Sequence, residues 1–195
     1  MLTTVWRFLM KRTGMWIAAL LIDMILFISF FFAEPRIVTP LQQIYIMKQF
    51  FPELKCVGVL WNENVVDTNK LYPQLERASA QFGIKIVVSN VQQIKDVPTE
   101  FKNLKQKHNI QVLWVIGDDE ILNGEVSRKY LIKQSIFSNL PLFAPSNLWV
   151  NEGAFISIIK EGNATKLFVN QQTAKVLSIN IPEAYLENTI FYAAK

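Results

Sequence analysis

Three apolar runs in this 195-residue chain end in side chains able to hold a small molecule. Cys56–Leu60 is followed by Trp61 and Asn62, Ile110–Ile116 by Gly117, Asp118 and Asp119, and Pro141–Ala144 by Pro145, Ser146 and Asn147. An indole offers a flat apolar wall, and amide, hydroxyl and carboxylate groups offer directional hydrogen bonds. Together they are the mixture that orients a ligand in a cleft. The competing reading is local, because Asn, Asp and Ser directly after a strand satisfy the free N–H groups of the next helix. The residues alone leave both readings open.

Covalent and acid–base chemistry is poorly provided for. His108 is the only histidine and Cys56 the only cysteine, so no zinc constellation, no Ser–His–Asp arrangement and no intramolecular disulfide can be assembled. His108 ends a lysine-rich stretch beside Asn109 and reads as a surface residue, while Cys56 inside an apolar run reads as a packed small hydrophobe. There is no Gly-x-Gly-x-x-Gly and no phosphate loop among only seven glycines. Asp118 and Asp119 do not make the acidic pocket of a receiver domain, which needs its acids after the first strand and a lysine after the last. No enzyme activity, metal or cofactor is expected. The net charge is +4, of which +2 lies in the first 36 residues, so no nucleic-acid footprint is present either.

The elements that must position these residues follow from apolar spacing. Cys56–Trp61 is too short for a helix, and its lack of polar alternation predicts a strand covered on both faces, hence a parallel sheet between helices. Ligands in such sheets bind outside the carboxyl ends of the strands, which puts Trp61, Asn62, Asp118, Asp119, Ser146 and Asn147 on one rim. Thr39-Pro40 opens a helix with Leu41, Ile44, Met47 and Phe51 inward, stopped by Pro52. Asn64 or Asp67 caps a helix lined by Leu71, Leu75, Ala78 and Phe82 and ended by Gly83. Ile84–Val88 is a strand, and Asp96-Val97-Pro98 starts a helix with Phe101 and Leu104 inward and Lys102, Lys105 and Lys107 solvated. After the strand at Ile110–Ile116, a helix from about Asn123 to Asn139 is expected to face the sheet with Val126, Tyr130 and Phe137. Pro141–Ala144, Ala154–Ile159 and Leu167–Val169 are further strands, Asn170 caps a helix to Leu177, and Pro182 opens a terminal amphipathic segment. Alternating strands and helices of this kind give right-handed crossovers and an α/β sheet.

The first 33 residues are of another kind. Gly14–Ala33 is a run of about twenty residues with one charge, Asp23, preceded by Arg7, Lys11 and Arg12. That length matches a hydrocarbon core of about 30 Å, and the basic flank predicts a cytoplasmic N-terminus with the following domain outside. Expected segments are a basic N-terminus over 1–13, a transmembrane helix over 14–33, a linker and first helix over 34–52 and the α/β lobe over 53–195. A cleaved signal peptide is the competitor, leaving a secreted periplasmic domain, but Phe31 fits its small-residue site badly. Asp23 near a bilayer centre costs about 2.5–3.5 kcal/mol and reads either as a contact for a membrane partner or as a charge absorbed by its apolar surroundings.

The order of several stretches resembles a known family: Phe51-Pro52-Glu53-Leu54-Lys55-Cys56-Val57-Gly58-Val59-Leu60-Trp61-Asn62, the Val97-Pro98 helix start, Val115-Ile116-Gly117-Asp118-Asp119, Leu140-Pro141-Leu142-Phe143-Ala144, Glu152-Gly153-Ala154, and Val169-Asn170-Gln171-Gln172-Thr173-Ala174 through Ile181-Pro182-Glu183. They are similar to substrate-binding proteins of ABC importers, with the periplasmic-binding-protein type I fold, of the tryptophan/tyrosine-transporter type. The resemblance covers about Leu41 to Ile190 and implies the second of two lobes only. It places Trp61 as a stacking wall, and the polar strand-end residues as hydrogen-bond partners, in the inter-lobe cleft. Between Gly153-Ala154 and Val169-Asn170 this chain is shorter than the family pattern, by much of a helix.

The expected fold is therefore a single three-layer α/β lobe with a mainly parallel sheet, preceded by one transmembrane helix in a bacterial inner membrane. The expected role is a non-catalytic extracytoplasmic binding or sensing accessory beside a membrane transporter, an outer-membrane receptor or a sensor kinase. Alternatives are a binding protein for an amino acid or sugar that completes its cleft as a homodimer, and a flavodoxin-like enzyme acting at the Trp61 rim.

Overall fold

A computed structural model describes residues 38–117, 119–162 and 164–193. The apolar span over 14–33, its Asp23, the cleavage question and Asp118 lie outside the described residues. Among the described residues no helix is long and apolar enough to cross a membrane.

Helix α1, Pro40–Phe50, starts on a reciprocal cap in which Gln42 N donates to Thr39 Oγ1 (3.3 Å) and Thr39 N to Gln42 Oε1 (3.2 Å). Ile44 and Met47 are fully buried and pack in one cluster with Val57 and Val59, so α1 is part of the packed body. Strand β1, Cys56–Trp61, is buried at all six positions, as its composition requires. Then come α2 (Thr68–Phe82), β2 (Lys85–Asn90), α3 (Asp96–His108), β3 (Val112–Val115), α4 (Glu125–Phe137), β4 (Leu142–Ala144), α5 (Asn147–Asn151), β5 (Ile156–Glu161), β6 (Ala164–Asn170), α6 (Gln171–Val176), a 3₁₀ turn (Glu183–Asn188) and β7 (Thr189–Tyr192). Asp67 caps α2 through a bond from Lys70 N, and Gly83 ends it at φ 61°, a left-handed value that glycine adopts without Cβ strain.

The strands form one sheet in the order β2-β1-β3-β4-β5-β6-β7. All neighbours are parallel except β5 and β6. That exception explains the shortened stretch noted in the sequence. A parallel return needs a crossover helix, and with too few residues for one the chain turns directly at Gly162 (φ 58°) into an antiparallel hairpin.

Alternation along β1 divides the core. Val57, Val59 and Trp61 face the layer containing α1 and α2, whereas Cys56 and Leu60 join Phe101, Leu104 and Leu131 from α3 and α4 on the other side. Gly58 lies on that second face because nothing larger fits. A Cβ there would stand 2.6 Å from Ile110 Cδ1.

Helix α4 corrects the expected face. Val126 and Phe137 are exposed and Tyr130 is half-buried, while Ser127, Arg128, Leu131, Ile132 and Ser135 turn inward. The inward stripe contains two serines and an arginine, so apolar spacing could not find it. Arg128 is tolerated there because its Nε and Nη2 both reach Glu152, each at 2.7 Å, and its Nη1 donates to the carbonyl of Asn123. The segment after Pro182 becomes a 3₁₀ turn and an edge strand pairing in parallel with β6.

Candidate functional site

The carboxyl ends of the parallel strands form one rim, and the residues there meet different fates. Trp61 is the sixth residue of β1, still in register with Asn90 of β2. Its ring turns into the α1–α2 layer, is 0% exposed and meets Tyr72 edge-on at 4.8 Å. Its Nε1 has no hydrogen-bond partner among the described residues. In this conformation the indole is part of the core and presents no wall to a ligand.

Asn62 and Asp119 are brought together. Asn62 is 4% and Asp119 6% exposed, and Asn62 Nδ2 donates to Asp119 Oδ1 at 3.4 Å. The same Oδ1 accepts from Ile121 N (2.9 Å) and Leu122 N (3.1 Å), so the carboxylate closes the turn after β3. Asn62 Oδ1 accepts from Asn64 N at 3.0 Å and organises the turn after β1. Asp119 Oδ2 is buried without a partner among the described residues. It lies beside Gly117, at φ 101°, where an added Cβ would come within 3.7 Å of it. One oxygen of this carboxylate thus caps the turn and the other is buried without a partner among the described residues.

Ser146 and Asn147 follow β4 on the same rim. Ser146 stands at the N-cap of α5 but makes no capping bond; it is half-buried, and Asn147 is exposed. Their segment is tied to the Asp119 turn by a neighbouring pair, with Trp149 Nε1 donating to Asn123 Oδ1 at 2.9 Å.

Residues not singled out in the sequence complete the rim. Asn90, ending β2, accepts from Glu63 N at 2.9 Å, and the Glu63 carboxylate accepts from Gln92 Nε2 at 2.8 Å. A polar residue closing an otherwise apolar strand was the available signal for Asn90. Glu63 and Asn64 are exposed, so the rim offers solvent a carboxylate, two amides and a hydroxyl. These groups can bind polar ligands reversibly. They contain no nucleophile held by a base. Cys56, the chain's thiol, is at the opposite end of β1, where Sγ donates to His108 O at 3.6 Å and burial pushes its pKa up. Among the described residues no group of three or more His, Cys, Asp or Glu side chains is placed to hold a metal.

Comparison with curated proteins gives no match. Solved structures give clear ones. A conserved domain protein from Vibrio cholerae is 20% identical with a TM-score of 0.67, over 79% of this chain and 60% of that one. An ABC domain in complex with L-Trp from Streptococcus pneumonia is 15% identical with a TM-score of 0.65, over 79% and 62%. A ligand-free, open substrate binding protein with adhesive properties from Clostridium difficile is 20% identical with a TM-score of 0.66, over 81% and 61%. At these identities the likeness is one of fold, and the chain spans about three fifths of the length of each of these three structures. The family model for ABC transporter substrate binding proteins matches residues 38–162, well over half the chain. The chain belongs to the ABC transporter substrate binding protein family.

Proposed function

We propose that this chain is a non-catalytic binding or sensing accessory, anchored by residues 14–33 to the bacterial inner membrane with its lobe outside the cytoplasm. It works beside an ABC importer, an outer-membrane receptor or a sensor kinase. The observation that carries this reading is a rim that serves its own fold. Asn62, Asn90 and one oxygen of Asp119 are bonded to neighbouring loops, and Trp61 is buried, in a chain that spans one lobe of a two-lobed family. A single wall cannot enclose most of a small molecule's surface. The basic flank at Arg7, Lys11 and Arg12 supports the orientation, and Asp23 supports a contact within the membrane.

The test is thermal unfolding of the full chain in detergent against L-tryptophan, other amino acids and sugars, alongside recovery of membrane partners from the native host. A ligand at 100 times its Kd adds about 2.7 kcal/mol, which for a domain of this size is a rise of about 5–10 °C. The expected result is no such rise with any of them, and a stoichiometric membrane partner that Asp23→Leu releases. A rise with one solute would sink the accessory reading.

That outcome would favour a second reading, capture of a small amino acid or sugar in a cleft completed by another copy. The specific support for it is the freedom of Ser146 and Asn147, together with the unpartnered Oδ2 of Asp119.

A further inference from the structure

Two surface patches away from the strand rim have no part in the readings above. One is the groove between α3 and α4, lined by Lys102, Lys105, Lys107, Tyr130 and Phe137 among others, and by no carboxylate. Phe137 is 86% exposed, and Val126 on the same helix is 69% exposed. Lys105 donates to Ser138 Oγ, whereas Lys102 and Lys107 form no ion pair among the described residues. The other patch is the far edge of the sheet. Residues 183–193 carry Glu183 and Glu187 and no cation, and Leu186, Ile190 and Phe191 are each more than two fifths exposed. Among the described residues strand β7 pairs with β6 alone, and no strand lies on its other edge.

We infer that copies of this chain associate head to tail, with the 3₁₀ turn and β7 of one copy seated in the α3–α4 groove of the next. The apolar parts, Leu186 and Phe191 against Phe137 and Tyr130, provide the burial. Glu183 and Glu187 meet Lys102 and Lys107 and set the orientation. Charge excludes the nearest alternatives. Groove against groove would bring three lysines onto three lysines, and the segment over residues 1–37 would add Arg7, Lys11, Arg12 and Arg36 to them against only Asp23 and Glu34. A contact between two different patches repeats from copy to copy. It leaves the strand rim uncovered, so it is separate from any paired cleft. A contact resting on two pairs of surface charges is weak and sensitive to salt.

The experiment uses full-length chain in non-ionic detergent, carrying two different tags so that capture of one copy by another is measured. A groove variant combines Lys102→Glu with Lys107→Glu, and an edge variant combines Glu183→Lys with Glu187→Lys. Wild-type copies are expected to capture one another at low salt and to lose most of that capture at about 0.5 M salt. Groove variant with groove variant, and edge variant with edge variant, should each fall roughly ten-fold, the equivalent of about 1.4 kcal/mol. Mixing the two variants should restore capture, because every contact then joins opposite charges. Restoration also shows that both variants are folded. No capture between wild-type copies, equal capture in all pairings, or a mixture that fails to restore it would each overturn the inference.

Discussion

Asn62 and Asp119, after β1 and β3, are buried and bonded to each other, whereas Ser146 and Asn147, after β4 on the same rim, make no side-chain hydrogen bond among the described residues. The difference lies in strand length. β1 pairs with β2 along all six residues and with β3 from Val57 to Leu60, so the chain is still held in the sheet at Trp61, and the next side chain must satisfy buried backbone. β4 has three residues and gives way to Pro145, so its polar successors emerge into solvent. Residue types alike in the sequence are therefore structural at one end of the rim and available at the other.

Substitutions can break that contrast. The largest effect is expected from Trp61→Ala, about 3–5 kcal/mol of lost stability in urea unfolding followed by circular dichroism. A loss near zero would mean that the ring does not belong to the core. Asp119→Ala should cost about 2–3 kcal/mol, since it strips the acceptor from Ile121 N, Leu122 N and Asn62 Nδ2, with Asp119→Asn milder because it keeps one acceptor oxygen. Gly58→Ala tests the frame behind the rim, and crowding against Ile110 should cost about 1–3 kcal/mol.

A pH titration sharpens the comparison at the junction of the two rim halves. Arg128, by hydrogen bonding first and charge second, holds the Glu152 carboxyl below its ordinary range. Its contribution is therefore full above the unfolded value of about 4.3 and disappears as pH falls through the lower folded value. Glu152→Gln should flatten this part of the stability–pH curve, and an unchanged slope would refute the assignment. The smallest effect belongs to the open end. Ser146→Ala with Asn147→Ala should move stability by no more than about 0.5 kcal/mol, and any consequence should appear in ligand or partner binding.

Much of this was legible in the residues. Apolar runs without alternation announced buried parallel strands. Thr39, Asp67, Gly83 and Asn170 marked helix ends where the structure has them, and Asn170 Oδ1 does accept from Thr173 N. The stretch before Val169 read as shorter than the family pattern, and the structure fills it with the antiparallel β5–β6 hairpin, because too few residues remain for a crossover. The inward face of α4 was hidden, since a buried Arg128 makes sense only once Glu152, 24 residues away, is known to face it.

By itself, then, the sequence determined the alternation of strands and helices, several helix caps and the family, because these follow from local periodicity and end signals that each segment carries on its own. Only the tertiary structure decided that Trp61 turns inward, that Asn62 and Asp119 hold each other and that Ser146 and Asn147 stay free. Those outcomes depend on pairing register and on partners distant in the chain, and a segment does not encode what it will be packed against.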